Sequence, residues 1–455
     1  MRQNKSPSVL ILGYGREGRS VHRYFHQFHP QISISLADQN PTIKPEIQIT
    51  GKLHLGENYL QFLKQYDLII RSPGISLQKP ELQQALARGQ TITSATQIFF
   101  QECPGITIGV TGSLGKSTTT SLIAALLSTQ YSDVRLVGNI GIPALDHLAG
   151  AHQNTFFAIE LSSFQLEDLT ISPKVAVLLN IVPEHLDRHQ TFSAYLEAKA
   201  NLVKHQKPED WLIYNPQHRV LHQIVSQTPS RKIIFTLSPH PQASCFLMKN
   251  KIWVRKEKEI IPLIRRQEIP LLGEGNSENI MAAVSVALLF RVPLQKIRQA
   301  LKKFQPLEHR LEFVGRYRGI DFYNDSISTL PQSTIHALKA LGSRVETLLL
   351  GGYDRGIDFS PLVHFLKNTQ VNYLILFPTT GAKIWQIIKK QLPQNNWPQK
   401  YFVRSMKKAI KIAFQLTSPG KVCLLSPASA SFGLFQDYRD RGNQFKKFVR
   451  LYGEN

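Results

Sequence analysis

Short apolar runs alternate with amphipathic stretches along most of the chain. The run "SVLIL" has the length of a strand, "REGRSVHRYFHQF" repeats its apolar positions with a helical period, and "ISISLAD" is strand-like again. Similar runs return as "GITIGV", "TFFAIE" and "KVAVLLN", and later as "IDFYN", "VETLLLGG" and "KVCLL". Strand and helix patterns in alternation predict an α/β fold with mostly parallel sheets.

The number of these runs predicts three domains, each an open sheet with flanking helices. The chain has 455 residues, about three times the length of a typical domain. We place a Rossmann-like domain at residues 1–102, a central P-loop domain at 103–307 and a second Rossmann-like domain at 308–455. The segment "QPLEHRLEF" is the expected linker into the third domain.

Two glycine-containing turns in the first domain are candidate ligand sites. The first, Gly13-x-Gly15-x-x-Gly18, follows a strand and opens a helix, and Asp38 ends the next strand twenty residues later. This order is typical of dinucleotide sites, where a pyrophosphate lies on helix N-terminal amides. A second turn, Ser72-Pro73-Gly74, follows "YDLIIR". Tight turns without a ligand are the alternative for both.

A third glycine loop opens the central domain. Its form, Gly112-x-x-Gly115-Lys116-Ser117, lacks the first glycine of the common P-loop. A buried strand still precedes it and a helix follows, so its amides would face a phosphate. Lys116 would reach the β- and γ-phosphates, and the hydroxyl of Ser117 or Thr118 would meet Mg²⁺. The loop therefore predicts a nucleoside triphosphate site, and an ordinary glycine turn before a helix is the alternative.

Further polar residues follow neighbouring strands of the central domain. Glu160 ends "TFFAIE", where a carboxylate is placed to hold Mg²⁺, and His185 follows "KVAVLLN" on the same predicted edge. Lys199 lies within a helix, where a lysine normally faces solvent. Asn276 and Asn279 are one helical turn apart on one face of a later helix.

Composition narrows the class of protein. The net charge is +22, but the basic residues are scattered through the chain and do not form one block with aromatic residues. We expect no nucleic-acid partner, although a basic P-loop ATPase that binds nucleic acid remains an alternative. No apolar run approaches the length of a membrane helix, and the three cysteines lie far apart. We expect a monomeric cytoplasmic protein without membrane insertion.

Together these motifs resemble the Mur ligases, the ATP-dependent ligases that build the peptidoglycan stem peptide. The resemblance covers essentially the whole chain, in "GVTGSLGKSTTT", "ELSSFQLE", "NIVPEHLDRH", "YLEAK", "GEGNSENIMAA", "LEHRLE", "GGYDRGIDF" and "LSPASASFGLFQDYRDRGNQF". The family's loop has the same short form. The resemblance implies that glutamate, expected to be D-glutamate, is added to UDP-N-acetylmuramoyl-L-alanine through an acyl phosphate.

The resemblance also implies roles for single residues. Catalysis and two Mg²⁺ ions would involve Lys116, Ser117, Glu160, His185 and Lys199, the last of them carbamylated. ATP would contact Gly112, Ser113, Leu114, Gly115, Lys116, Ser117, Thr118, Asn276, Asn279, Arg310 and Asp325. The UDP-substrate would contact Gly15, Arg16, Asp38, Gln39, Ser72, Gly74, Asn139, Ser162, Gln165 and His185. Glutamate would contact Thr329, Arg355, Ser431 and Tyr438.

The chain departs from the family pattern in three segments. Leu114 replaces an Asn of the loop, Ile327-Ser328-Thr329-Leu330 stands where Lys-Ala-Thr-Asn follows "NDS", and Arg355 stands where a Lys is typical. The second and third changes affect the expected amino-acid pocket, so L-glutamate remains an alternative to D-glutamate. Another Mur ligase, a folylpolyglutamate synthetase-like enzyme and a dinucleotide-dependent oxidoreductase are the other enzyme alternatives.

Overall fold

Three sheets covered by helices make up residues 7–140 and 142–454, which the computed structural model describes. The chain divides into two compact units. One runs through Glu268 and includes Glu278–Lys302, and the other comprises Ile269–Ser277 and the chain from Lys303 onward. The first unit contains two of the sheets and the second unit contains one. The predicted three-sheet α/β fold class is confirmed.

The first sheet belongs to the N-terminal part of the first unit. Its strands are β1 (Val9–Leu12), β2 (Ile34–Asp38), β3 (Leu53–Leu55), β4 (Leu68–Arg71) and β5 (Thr91–Ser94). Its helices are α1 (Arg16–Phe28), α2 (Pro80–Ala87) and α3 (Ala95–Glu102). All strands are parallel, in the order β3-β2-β1-β4-β5. This order is the Rossmann arrangement, with β1 at the centre.

The first glycine turn lets α1 pack closely on this sheet. All four residues of β1 are buried because the strand is covered on both faces. Gly13 has φ +90°, a left-handed conformation that favours glycine. A Cβ atom on Gly18 would overlap the carbonyl oxygen of Gly13. Gly18 is therefore required by the close approach of helix and turn.

The second sheet forms the remainder of the first unit. Its strands are β6 (Ile106–Thr111), β7 (Val134–Gly138), β8 (Phe156–Glu160), β9 (Val175–Leu178), β10 (Trp211–Tyr214), β11 (Arg231–Thr236), β12 (Ala243–Met248), β13 (Lys251–Lys256) and β14 (Glu259–Arg265). The helices in this stretch of the chain are α4 (Lys116–Leu127), α5 (Ser163–Leu166), α6 (Leu186–His189), α7 (Phe192–Lys204), α8 (His222–Val225), α9 (Glu274–Leu289) and α10 (Leu294–Lys303). The order is β14-β13-β12-β11-β10-β9-β6-β8-β7, parallel except for the antiparallel pairs of β13.

The third sheet lies in the second unit. Its strands are β15 (Glu312–Tyr317), β16 (Ile320–Asn324), β17 (Val345–Gly351), β18 (Tyr373–Phe377), β19 (Gln399–Phe402) and β20 (Val422–Leu425). Its helices are α11 (Pro331–Leu341), α12 (Ser360–Leu366), α13 (Thr380–Gln391), α14 (Met406–Leu416) and α15 (Tyr438–Gly453). The order is β15-β16-β20-β17-β18-β19, and only β15 is antiparallel to its neighbour. Within the described ranges, no helix is long and apolar enough to cross a membrane.

We predict that Gly18→Ala lowers the stability of the first unit. The added methyl group must displace the Gly13 carbonyl or shift α1, at a cost on the order of 1–3 kcal/mol. Gly15→Ala is the matched control, because a Cβ atom at Gly15 meets nothing within 4 Å. Thermal unfolding should show a clearly larger fall in Tm for Gly18→Ala. Equal Tm values for the two variants would contradict the packing described here.

Candidate active site

Four loops of the central sheet meet at one edge. Because β9, β6, β8 and β7 are parallel neighbours, the segments after their carboxyl ends lie side by side. These segments carry residues 180–185, the phosphate loop at 112–115, Glu160 and Asn139. The prediction that Glu160 and the loop of His185 leave the sheet at the same edge as the phosphate loop is confirmed.

The phosphate loop is shaped by glycine and held by an asparagine. Gly115 has φ +86° and caps the N-terminus of α4. The backbone N–H of Ser113 donates to the carbonyl of Asn180 (2.8 Å), and the N–H of Leu114 lies 3.4 Å from the Asn180 side-chain oxygen. The Leu114 contact comes from its backbone, so the replacement of Asn by Leu leaves it in place.

Two lysines converge on the carbonyls of this loop. Lys116 Nζ donates to the carbonyls of Gly112 (3.0 Å) and Ser113 (2.9 Å). Lys199 Nζ donates to the same Gly112 carbonyl (2.8 Å) and to Thr111 Oγ1 (3.2 Å). Lys199 is only 1% exposed, so it does not face solvent. Burial, and secondarily the charge of Lys116, lower the pKa of Lys199 well below its usual value.

Glu160 offers a carboxylate oxygen that the protein leaves unused. Asn139 Nδ2 donates to its Oε1 (2.8 Å), whereas Oε2 is buried and lacks a hydrogen-bond partner in the described structure. The hydroxyl of Thr118 is likewise buried without a partner, and Ser117 is half-buried beside it. An orphaned carboxylate oxygen on the strand next to the one that leads into the phosphate loop suits a hard cation such as Mg²⁺.

The side chains alone do not form a closed metal cage. The described residues contain no group of three His, Cys, Asp or Glu side chains arranged to hold a metal ion. Mg²⁺ usually completes its coordination with water and substrate phosphates. The donor set at Glu160 and Ser117 therefore fits an ion that binds together with a nucleotide.

His185 lies at the next loop, after β9. Its φ is +55°, and its Nε2 is 3.6 Å from Glu184 Oε1. Its ring centroid is 4.9 Å from that of Phe164, in the short helix α5. Glu184 also accepts a 3.4 Å hydrogen bond from the hydroxyl of Tyr195, which is buried beside the phosphate loop. His185 is thus held at the same edge as Glu160.

The predicted UDP-substrate residues of the first domain lie at the turns of the first sheet. Asp38 Oδ2 accepts from the backbone N–H of Tyr14 (2.7 Å), which fixes the first glycine turn. Gly15 caps α1 and is exposed, as are Arg16 and Gln39. The hydroxyl of Ser72 donates to the Gly13 carbonyl (2.8 Å), so the two turns contact each other.

Residues between the first two sheets are connected by hydrogen bonds. Ser162 caps α5 in a capping box with Gln165. Gln165 Nε2 donates to Glu17 Oε1 (2.9 Å), and Arg16 Nη2 lies 3.4 Å from the carbonyl of Gly138. Burial raises the pKa of Glu17. Ser162 and Gln165 therefore link α1 of the first sheet to the loop after Glu160.

The two asparagines predicted as nucleotide contacts differ in their surroundings. Asn279 Oδ1 accepts from Thr119 Oγ1 (3.2 Å), and a Cβ atom on Gly115 would overlap this oxygen. Asn279 therefore contacts the phosphate loop directly. Asn276 belongs to the second unit, where its Nδ2 donates to the carbonyl of Leu272 (2.7 Å).

Arg310 and Asp325 are brought together in the second unit. Asp325 is buried and accepts from the N–H of Leu311 (3.1 Å) and the hydroxyl of Ser426 (2.8 Å). Burial raises the pKa of Asp325 to about 6, although the charge of Arg310 and these hydrogen bonds oppose the shift. The predicted pair is therefore an electrostatic pair within this unit.

The predicted glutamate residues lie in loops and helix starts of the second unit. Ser431 is buried, Thr329 is half-buried, and the guanidinium of Arg355 lies 5.5 Å from the ring centre of Phe432. Tyr438 begins α15, and its carbonyl accepts from the hydroxyl of Ser326 (2.8 Å).

Several residues at these sites were not predicted as site residues. Arg441 is fully buried, and its guanidinium donates to the hydroxyl and carbonyl of Ser326 (3.0 and 2.7 Å). Burial lowers the pKa of Arg441 to about 9. Asn180 and Tyr195 support the phosphate loop. In the sequence, Asn180 is marked only by its position next to a strand end, and Tyr195 only by its position one helical turn before Lys199. These signals are too weak to single out either residue.

A phosphate loop beside a buried carboxylate at the edge of a parallel sheet defines a P-loop nucleotide-binding protein. Three domain profiles match the chain: the Mur ligase MurD-like N-terminal domain at residues 7–94, the Mur ligase middle domain at 110–287 and the Mur ligase glutamate ligase domain at 309–429. The chain belongs to the Mur ligase family, whose members use ATP. The predicted family is thereby confirmed.

Individual relatives match nearly the whole chain. The UDP-N-acetylmuramoylalanine–D-glutamate ligase of Lachnoclostridium phytofermentans is 33% identical over 97% of both chains. That of Geobacillus kaustophilus is 34% identical over 96% of both chains. The solved MurF ligase of Thermotoga maritima in complex with ADP shares the fold, with a TM-score of 0.60, 16% identity, and coverage of 98% of this chain and 95% of that one.

We predict that Asp325 makes the stability of the ligand-free protein depend on pH. Its pKa is about 6 when folded, against an ordinary 3.8, so the folded state retains a proton that the unfolded state loses. The resulting stabilisation is complete below about pH 4 and is lost as the pH rises through 6. Relative to Asp325→Asn, the wild type should lose about 2.5 kcal/mol between pH 4 and pH 7.

Asp358→Asn is the control for this pH profile. The hydrogen bond from the N–H of Ser360 lowers the pKa of Asp358, so the corresponding difference should be small and of opposite sign. Paired denaturation series at several pH values provide the comparison. A difference between wild type and Asp325→Asn that stays constant from pH 4 to pH 7 would contradict the assigned pKa.

Proposed function

We propose that this chain is an ATP-dependent amide ligase that joins D-glutamate to UDP-N-acetylmuramoyl-L-alanine and releases ADP and phosphate. The observation that carries the proposal is that Lys116 and Lys199 both donate to one carbonyl of the phosphate loop, while the adjacent strand ends in Glu160 with its unused oxygen. The relatives that match nearly the full chain carry the name of this ligase. The reaction belongs to cytoplasmic synthesis of peptidoglycan precursors.

The phosphate loop serves to activate a carboxylate. The L-alanine carboxylate of the UDP-substrate attacks the γ-phosphorus of ATP, and the bond to ADP breaks. The product is an acyl phosphate, whose carbonyl the glutamate amine attacks while inorganic phosphate leaves and the amine loses a proton. Lys116 neutralises charge on the β- and γ-phosphates. Its Nζ atom is already at the loop, where it donates to two carbonyls about 3 Å away.

Two Mg²⁺ ions would fit this edge of the sheet. Ser117 and Glu160 would hold one ion together with ATP, and His185 and Lys199 would serve the second. When bound, the ions would neutralise charge on the transferred phosphoryl group. The orphaned Oε2 atom of Glu160 is the support for the first ion.

Lys199 must lose its positive charge to serve a metal ion. Burial favours the neutral amine, which can attack CO₂ to form a carbamate and release one proton. The carbamate would place an anion where the Lys199 amine now lies 2.8 Å from the Gly112 carbonyl. A carbamylated Lys199 therefore has the sign of charge that a second Mg²⁺ requires.

The remaining predicted residues divide between the two other substrates. The UDP-substrate would extend from the first glycine turn, with Asp38 and Gln39, past Ser72 and Gly74 to Asn139, Ser162 and Gln165. Arg310 and Asp325 would contact the nucleotide when the third domain closes about the segment 308–310. Such closure would exclude water from the acyl phosphate. Thr329, Arg355, Ser431 and Tyr438 would hold glutamate, with Arg355 suited to a bidentate carboxylate contact.

We predict phosphate release from ATP and Mg²⁺ only when UDP-N-acetylmuramoyl-L-alanine and D-glutamate are both present. L-glutamate in place of D-glutamate should give no more than the background rate. Lys116→Ala should lower the rate by at least 100-fold, because the phosphoryl charge loses its main cation. Lys204→Ala removes an exposed lysine at the end of α7 that pairs with Glu197, and this variant should retain wild-type activity.

Other outcomes of this assay have defined meanings. Release with L-glutamate alone would keep the ligase chemistry and overturn the D-glutamate assignment. If a folded wild-type protein releases no phosphate with either D-glutamate or L-glutamate, the proposed substrate pair is overturned.

A further inference from the structure

Two arginines donate hydrogen bonds to backbone carbonyls at the Ser72-Pro73-Gly74 turn, which we call the SPG turn. Arg188, from α6, donates through Nη1 to the carbonyl of Gly74 (2.8 Å) and through Nη2 to that of Pro73 (3.1 Å). Arg71, the last residue of β4, donates through Nη1 to the carbonyl of Ile75 (2.5 Å). Three successive carbonyls at this turn thus accept from arginine side chains.

Two carboxylates at the end of α5 balance these cations. Asp168 Oδ2 lies 2.8 Å from Arg71 Nη2, and Glu167 Oε2 lies 3.6 Å from Arg71 Nη1. Glu167 Oε2 also lies 3.4 Å from Arg188 Nη2. The Arg71 side chain has no exposed surface, and the carboxylates are 12–15% exposed. The cluster therefore holds two positive and two negative charges in a largely desolvated place, where each partner requires the others.

The same cluster is connected to the loop of His185. The Arg188 guanidinium lies 5.1 Å from the ring centre of Phe164, three residues before Glu167. The rings of His185 and His189 pack on Phe164 at centroid distances of 4.9 and 5.4 Å. Because Arg188 is three residues after His185 and on the same short segment, a shift of the SPG turn would be passed to the His185 loop.

We propose that Arg188 and Arg71 are positioning residues that hold the SPG turn in register with the His185 loop. The inference rests on the proposed function, in which the turn lies near the pyrophosphate of the UDP-substrate and His185 serves a metal ion. The planar fork of Arg188 reaches two carbonyls at once, which a lysine ammonium on a flexible stem does not reproduce. The fork therefore sets the affinity for the UDP-substrate, whereas the phosphate loop, held by Asn180, sets the affinity for ATP.

The test compares two Arg→Lys variants in steady-state assays. For Arg188→Lys we expect the KM for UDP-N-acetylmuramoyl-L-alanine to rise about tenfold, with the KM for ATP within twofold of wild type. Arg135→Lys is the matched control. The Arg135 guanidinium also donates to two backbone carbonyls, those of Ala149 (2.9 Å) and Gly150 (3.2 Å), but these lie away from the SPG turn. The two side chains are similarly exposed, at 16% and 18%. Arg135→Lys should change neither KM.

The outcomes separate this inference from the proposed function. If wild-type protein does not turn over the UDP-substrate, the proposed function fails and the inference with it. If wild type is active and Arg188→Lys behaves like Arg135→Lys, or raises both KM values equally, the inference alone is overturned. Should Arg188→Lys melt well below the control, Glu167→Gln decides, because it removes the carboxylate shared by both arginines and should also raise only the KM for the UDP-substrate.

Discussion

The carbonyl oxygen of Gly112 accepts hydrogen bonds from two lysines, and most of the candidate site depends on this arrangement. Lys116 and Lys199 approach it at 3.0 and 2.8 Å, which places two amines close together beneath the phosphate loop. Two buried ammonium groups would repel each other at short range. Burial and this repulsion both favour a neutral Lys199. An ATP phosphate, a metal ion at Glu160 and a carbamate at Lys199 would together restore the charge balance.

The sheet order explains why these groups meet. β6, β8 and β9 are adjacent and parallel, so the phosphate loop, Glu160 and the His185 loop leave the sheet at the same edge. Lys199 comes from α7, which packs against β6, and its side chain reaches the loop from the protein interior. The turns of the first sheet are tied to the same region by Gln165 and by the arginines of the SPG turn. The turns of the first sheet and the phosphate loop therefore belong to one connected arrangement within the first unit.

Much of this arrangement could be predicted from the sequence, because the strand-ending motifs carry their own geometry. The helix after Gly15 and the strand ending at Glu160 were predicted at the residues where the structure has them. The antiparallel strands β12–β14 were not predicted, although Lys249 and Asn250, both with positive φ, form the two-residue turn of a hairpin. Lys there is an unusual choice for such a turn, so the pattern is easily overlooked.

The burial of Lys199 could not be derived from its sequence surroundings. A lysine within an amphipathic helix normally points to solvent, and only the packing of α7 against β6 buries it. Arg71 and Arg441 were missed for the same reason, since their carboxylate and carbonyl partners are distant in sequence. Long-range pairing of charged groups leaves no local pattern.

The most direct measurement of the central claim is ¹³C NMR of the folded protein in ¹³C-bicarbonate. The account predicts a carbamate signal in the wild type that is absent from Lys199→Met and present in Lys204→Met, which removes a lysine of the same helix that is 47% exposed. A wild-type spectrum without this signal, or one that Lys199→Met leaves unchanged, would contradict the claim that Lys199 is a neutral amine converted into an anion beside the phosphate loop.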